Sequence, residues 1–344
     1  MGTSQFDRSR ASGAGSKGLD DCSNGFSALR HAINKSGSGS YQRFLQQLRP
    51  RYGRVWADIA IGYLGLAIGV GGVCMLRSSG VATQIAGAVL GAGWIGYWMA
   101  YLQLFIHEAA HYNIFPTRRG NDILCNVFVS SWTAAYIKRY REVHFGHHRL
   151  LGTPDDTENS YFNGLSPRFL LELLFGVHTL RILRHRSKLQ PAATATRPTL
   201  LAKLPTLASL ALHGVLIVAL LVAGQLYAAA AWIVGMGMVF PFLAGLRQIL
   251  EHRDGSAAAA TDFRTVPHGA VTRIFSGGLL AGTFGGAGFA RHLLHHWEPQ
   301  VSYTRLGELE AFLATTQAGA IIKSRRTTYL STLRQLLAAP RRAI

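Results

Sequence analysis

The sequence predicts an all-α integral membrane protein: four transmembrane helices as two hairpins, with interfacial helices and a cytoplasmic cap rich in histidine. Three observations carry this expectation. Apolar residues fill 49% of the 344 positions and charged residues only 15%, where a soluble domain carries about 25% charge. The chain is nevertheless basic, with 35 Lys and Arg against 17 Asp and Glu and a formal charge of +18. Apolar and basic together suit a membrane protein whose cations collect on one side of the bilayer, and disfavour a soluble enzyme. Finally, four long apolar runs fall in two close pairs.

The first 40 residues are Gly- and Ser-rich and end in Ser36-Gly37-Ser38-Gly39-Ser40. With no apolar run after a basic start they do not read as a signal peptide, and residues 1–45 are expected to be a disordered tail. Residues 46–320 form the membrane domain, and 321–344 are expected to be a basic C-terminal tail. Arg49, Arg51 and Arg54 abut the first apolar run, Trp56 to Leu76, long enough to cross about 30 Å of hydrocarbon. Arg77-Ser78-Ser79-Gly80 breaks it, and a second run extends from Val81 to Ile106, so the two form an antiparallel hairpin. Two shorter apolar pieces follow, Ile123–Ile137 and Phe169–Leu183, the second carrying Arg181. These read as helices lying at the interface, with Arg184 and Arg186 beside them reaching toward headgroups. A second hairpin runs from Leu204 to Leu250, interrupted near Gly224-Gln225.

Charge sets the orientation. Nine Lys/Arg precede Trp56, 13 lie between His107 and Lys203, and 11 follow Glu251; only Arg77 and Arg247 fall elsewhere. With four spans all three basic regions share one side, which the positive-inside rule makes cytoplasmic. The expected location is thus a multi-pass protein of a bacterial inner membrane with its chemistry on the cytoplasmic face. Anionic lipids are expected against that face, and no nucleic acid. The three cysteines, Cys22, Cys74 and Cys125, are too few and too scattered for a disulfide framework or a Cys-rich metal site.

Histidine carries the chemistry. Eight of the 14 lie in three clusters: His107-Glu108-Ala109-Ala110-His111, His144-Phe145-Gly146-His147-His148 and His292-Leu293-Leu294-His295-His296. Residues three or four apart share a helix face. His107 and His111 can therefore aim at one point, and so can His144 with His147 and His148. Neutral imidazole is a ligand for iron, zinc and copper. The first cluster alone also matches the zinc metalloprotease motif, but that reading leaves six clustered histidines without a purpose. Eight nitrogens exceed what one metal takes; two metals with four or five imidazoles each fit the number. The isolated histidines read otherwise. His213 is expected to bridge helices, His178 and His185 to sit at the lipid interface, His268 to lie in a loop with no partner, and His31 to have no role.

HEAAH, HFGHH and HLLHH, in this order on two membrane hairpins, resemble the integral-membrane fatty acid desaturase and hydroxylase family. The resemblance extends over the His147-His148-Arg149…Asp155-Asp156 stretch, the Arg247…Glu251-His252 element, and His295-His296-Trp297-Glu298-Pro299 with Tyr303, Leu306 and Leu309. It covers roughly residues 55 to 315. It implies a di-iron centre held by the eight box histidines, with His252 as ninth ligand. It also implies O2 as co-substrate and breakage of an unactivated C–H bond, giving an alkene, an alcohol or a ketone. Among substrates, a fatty acyl chain comes first and a small metabolite or carotenoid second. Ala290 stands where many acyl-lipid members have Asn, and His292 where front-end desaturases have Gln, so no regiochemical label transfers. With no cysteine set for an iron–sulfur cluster, electrons are expected from a separate ferredoxin, rubredoxin or cytochrome b5-type donor and its reductase.

Metal-bound histidines pass their other N–H to carboxylates or carbonyls. Glu251, Asp156 and Glu108 are the candidates, with Glu251 first; Asp122, Glu142 and Asp155 also lie near the clusters. Trp94, Trp98, Tyr101 and Phe105 form a stripe on the second span that faces away from His107, and read as packing or lipid contact.

Overall fold

The computed structural model describes residues 23, 25–36, 40–188 and 200–339. The architecture is helical, with a membrane bundle below a cap of short helices. Helices α1 (Phe26–Ser36) and α2 (Ser40–Gln47) precede the first hairpin, α3 (Tyr52–Met75) and α4 (Val81–Ala110). Glycines let these two approach closely. A Cβ at Gly65 would come within 2.2 Å of the Trp98 ring, and one at Gly62 within 2.6 Å of Leu102. Small residues facing large ones are how helices pack in lipid, where burial alone gives no drive. Trp94 also donates its indole N–H to the Gly65 carbonyl at 2.7 Å. The aromatic stripe therefore packs against α3, as expected.

The cap begins with α5 (Arg118–Phe128) and α6 (Ile137–Leu150), followed by α7 (Pro167–Leu174) and α8 (Val177–Lys188). The second hairpin is α9 (Leu200–Val222) and a continuous span made of α10 (Leu226–Val234), a π-turn (Gly235–Val239) and α11 (Phe240–His252). Pro241 cannot donate to the helix ladder, which accounts for the wider turn before it. Four segments are long and apolar enough to span: Tyr52–Met75, Val81–Ala110, Leu204–Val222 and Leu226–His252. Ile61, Leu64 and Ile68 on α3, and Leu210, Val215 and Val218 on α9, face outward, as lipid-contacting positions do. Inside, His213 bridges helices as expected: Trp232 donates to its Nδ1 at 3.1 Å, and its Nε2 contacts the Trp132 carbonyl at 2.9 Å.

The chain then returns to the cap through β1 (Ile274–Phe275), α12 (Gly278–Gly282), α13 (His292–Trp297), α14 (Leu306–Ala314), α15 (Gly319–Ser324), β2 (Arg326–Thr327) and α16 (Tyr329–Ala338). β1 and β2 pair in parallel, Ile274 opposite Arg326.

Three expectations are corrected here. Residues 26–36 and 40–45, assigned by composition to a disordered tail, lie in two helices whose apolar residues Phe26, Ile33 and Tyr41 are buried. Phe26 stacks on Trp297 at 4.7 Å, and Arg30 and Tyr41 both bond Glu298, at 2.7 and 2.9 Å. Residues 1–22, 24, 37–39 and 340–344 lie outside the described residues. The expected C-terminal tail is also folded: Tyr329 and Leu336 are buried, and Tyr329 stacks on Phe275 at 3.8 Å. Finally, Phe169–Leu183 is two helices broken at Gly176, whose φ of +69° suits a residue without Cβ.

Candidate metal centre

The centre forms where four helices end together. His107 and His111 occupy the last turn of α4 and its cap. The carbonyls freed there are taken by α5 and α6: Arg141 donates to Ala110 at 2.8 Å and Ala109 at 3.1 Å, and Asn121 donates to Ala109 at 2.9 Å. Asp122 pairs with Arg141 at 2.5 Å. Because Arg141 lies three residues before His144, this clamp also sets the second cluster against the first. Arg253, fully buried, fixes the end of α11 by donating to the carbonyls of Tyr161 at 3.0 Å, Asn163 at 2.8 Å and Thr261 at 2.9 Å. His252 follows from that anchoring, and α13 closes the ring from the other side.

All nine histidines converge, in two groups. Ring nitrogens of His107, His111, His144, His148 and His295 lie within 4.8 Å of one another, and so do those of His147, His252, His292 and His296. This corrects the expectation that His144, His147 and His148 share one target. At about 100° per residue, His144 and His148 differ by roughly 40°, while His147 and His148 stand about 100° apart. The third cluster divides the same way, His292 with His296 and His295 opposite. Each of these clusters therefore serves both groups and ties them together.

Spacing and chemistry fit metal ions. Nε2 of His144 lies 3.0 Å from Nε2 of both His111 and His148, and His148 Nε2 lies 3.0 Å from His295 Nε2. In the second group His292 Nε2 is 2.9 Å from His252 Nε2 and 3.2 Å from His296 Nε2. One Nε2 carries either one hydrogen or one lone pair, so it cannot form two straight hydrogen bonds. Nitrogens on a common ion with bonds of about 2.1 Å stand roughly 3.0 Å apart at right angles and roughly 3.4 Å apart in a tetrahedron. The observed edges match the right-angled arrangement better than the tetrahedral one usual for structural zinc. Both ring nitrogens of His107 are buried without a hydrogen bond, which is costly unless a ligand meets one of them.

Electrostatics keep the ligands ready. Burial first, then repulsion from neighbouring imidazoles, holds His148, His292, His295 and His296 well below the ordinary histidine pKa. His111 is lowered by burial, His144 and the Arg141 charge. All five are neutral near pH 7, the form that binds metal.

The surrounding carboxylates divide. Asp156 lies 2.8 Å from His147 Nδ1, and accepts from the Tyr161 hydroxyl at 2.5 Å and the Glu158 amide at 2.8 Å. Glu251 stands between Arg247 and His292, 3.7 and 3.9 Å away, outside hydrogen-bond range of either. Glu108 accepts from Ser302 at 3.4 Å and the Tyr303 amide at 3.3 Å, with its other oxygen 3.9 Å from His107. Asp122 belongs to the Arg141 clamp, and Glu142 and Asp155 are exposed. Sequence reasoning missed Glu158, whose carboxylate lies 3.6 Å from His144 Nδ1; its signal was the acidic run Asp155-Asp156-Thr157-Glu158 after the second cluster.

Two isolated histidines depart from expectation. His178 is buried, against Ser160 at 3.2 Å and Phe169. It lies just after the α7–α8 break at Gly176. His268 has partners: it accepts from the Asp254 amide at 3.0 Å and contacts Gly269 O at 2.7 Å. His31 is exposed, and the side chain of His185 lies outside the described residues.

A cavity of about 330 Å³ opens beside the centre. Its wall includes His107 and His144 from one group and His147, His252 and His292 from the other. Below them it is lined by Leu173, Ile182, Phe240 and Pro241.

The family model described as fatty acid desaturase matches residues 83–321, a stretch that contains all nine histidines. A search of curated proteins finds no match.

Proposed function

The chain belongs to the fatty acid desaturase family, and from that premise we propose that it is a membrane di-iron oxidoreductase that uses O2 to oxidise an aliphatic C–H bond. The observation that carries the reading is the division of nine imidazoles into neighbouring sets of five and four, both lining one cavity. His107, His111, His144, His148 and His295 would hold one iron, and His147, His252, His292 and His296 the other. A bound pair would supply the reduction of O2; for desaturation the balance is one O2, two hydrogens from adjacent substrate carbons, and two electrons and two protons from outside, giving an alkene and two waters.

The protein's own groups do the positioning. Asp156 holds the proton on His147 Nδ1, and the Val271 carbonyl, 3.0 Å from His252 Nδ1, does the same there. Both leave Nε2 bare toward the centre. Leu173, Ile182, Phe240 and Pro241 offer an apolar wall to the aliphatic part of the substrate. With the charge asymmetry read as positive-inside, the centre faces the cytoplasm. The basic face suits an acidic electron carrier of the ferredoxin, rubredoxin or cytochrome b5 type.

Introduction of a C=C bond into a fatty acyl chain is the first reading of the reaction. A second, oxidation of a compact metabolite, is supported by the modest volume and mixed lining of the cavity. The test is lipid and metabolite mass spectrometry on a bacterial host expressing the chain with a ferredoxin and its reductase, with His295→Ala as control. A product two mass units lighter, absent from the control, supports desaturation, and one sixteen units heavier supports hydroxylation. Identical profiles from iron-loaded wild type and the variant, across hosts supplied with acyl and small-molecule substrates, would reject the reading.

A further inference from the structure

We infer that the substrate carries a hydrogen-bonding group close to the carbon that is oxidised, and that Gln103 holds this group. The inference rests on the oxidoreductase reading above. Gln103 lies on α4 one turn before His107, on the same face, and both line the cavity. Its Oε1 is buried and has no hydrogen-bond partner. A polar side chain within a membrane-spanning helix is costly, and where it persists it faces a partner or a substrate path.

The rest of the wall agrees. The wall carries other polar groups, the buried Arg247 and Gln248, which bonds the Ser160 amide at 3.1 Å and Glu158 at 3.2 Å. Ile182, Phe240 and Pro241 add an apolar part to it. Four residues separate Gln103 from His107, a rise of about 6 Å, which an extended chain covers in about five bonds. The oxidised carbon therefore lies near a polar end, whether in a compact metabolite or at the amide, ester or hydroxyl of a lipid. A mid-chain methylene run would leave the Gln103 amide facing hydrocarbon.

The test uses the full chain in lipid nanodiscs, with thermal unfolding as readout, so it needs neither turnover nor an electron donor. Octanamide, with about ten non-hydrogen atoms, fits the cavity; decane has the same number and no polar group. Octanamide is expected to raise the melting temperature and decane to leave it unchanged. Gln103→Met keeps the side-chain length without the amide, and should weaken octanamide binding about tenfold. Gln103→Glu retains an acceptor and should bind within a few-fold of wild type. Equal stabilisation by decane, or unchanged octanamide affinity in Gln103→Met, would overturn the assignment. If Gln103→Met does not fold, the wild-type comparison of the two probes decides alone. Turnover is scored separately by mass spectrometry. Octanamide bound but not oxidised, with no host product, counts against the reaction and leaves the Gln103 site standing. Mid-chain oxidation of host lipids at the same rate in Gln103→Met counts against Gln103 and leaves the reaction standing.

Discussion

Asp156→Asn separates the two histidine groups. The Asp156 side chain is fully buried, and three groups meet it: His147 Nδ1 at 2.8 Å, the Tyr161 hydroxyl at 2.5 Å and the Glu158 amide at 2.8 Å. Asn offers one acceptor oxygen where the carboxylate offers two, and turns an NH2 toward groups that already donate. His147 then loses its tautomer and orientation, and it belongs only to the four-histidine group. Loss of such a partner costs about 10–100-fold in metal affinity, or roughly 1.4–2.7 kcal/mol. The assay is chelator competition on purified, iron-loaded protein, followed by metal content per chain. One chelation step should shift by that factor and the other should hold within about twofold. The exposed neighbour Asp155 supplies the control, since Asp155→Asn should move neither. Equal shifts of both steps, or of none, would refute the assignment of His147 to a separate group and of Asp156 as its partner.

Two further outcomes follow from the cap. Arg141→Met strips the last carbonyls of α4 of their donor and leaves Asp122 unpaired in a largely buried setting; stability should fall by about 3 kcal/mol in thermal unfolding, with the five-histidine group losing metal first. His178 is buried, and burial pushes its pKa down to about 4. Its folded-state pKa thus lies below the unfolded value of about 6.5, so its contribution is fully present above that pH and is lost as pH falls toward 4. Wild type should lose about 2 kcal/mol relative to His178→Gln between pH 7 and pH 5, read as a narrowing gap between their melting temperatures. A gap that does not change with pH would contradict the burial argument.

Much of this organisation was legible because it rests on local periodicity. The runs Trp56–Leu76 and Val81–Ile106, and the break at Gly224-Gln225, lie within a few residues of the observed spans. The four-residue spacing brings His107 to His111, His144 to His148 and His292 to His296, as the helix requires, whereas the three-residue pairs His144–His147 and His292–His295 fall in opposite groups. What remained hidden depends on contacts between distant elements. The angle between neighbouring positions already parts His147 from His148, but which group each histidine joins depends on how α4, α6, α11 and α13 approach one another, and no single helix encodes that. Asp156 rather than Glu251 bonds a histidine because the loop after α6 folds back at Gly152, where φ is +76° and a Cβ would come within 2.1 Å of the Gly269 carbonyl. Phe26, Leu29 and Ile33 repeat at helical spacing, but that signal was masked by the Gly- and Ser-rich residues around them. His178 and His268 were misread for the same reason: a lone side chain carries no record of what folds over it.

The central claim is that two unlike, nitrogen-rich metal sites lie side by side above one cavity. Mössbauer spectroscopy of the full chain, purified and loaded with 57Fe, tests it most directly. The account predicts about two irons per chain in two quadrupole doublets of equal area, one for each imidazole set, with the doublet of the four-histidine site altered in Asp156→Asn. A single iron per chain, or a preference for one tetrahedral zinc, would contradict it.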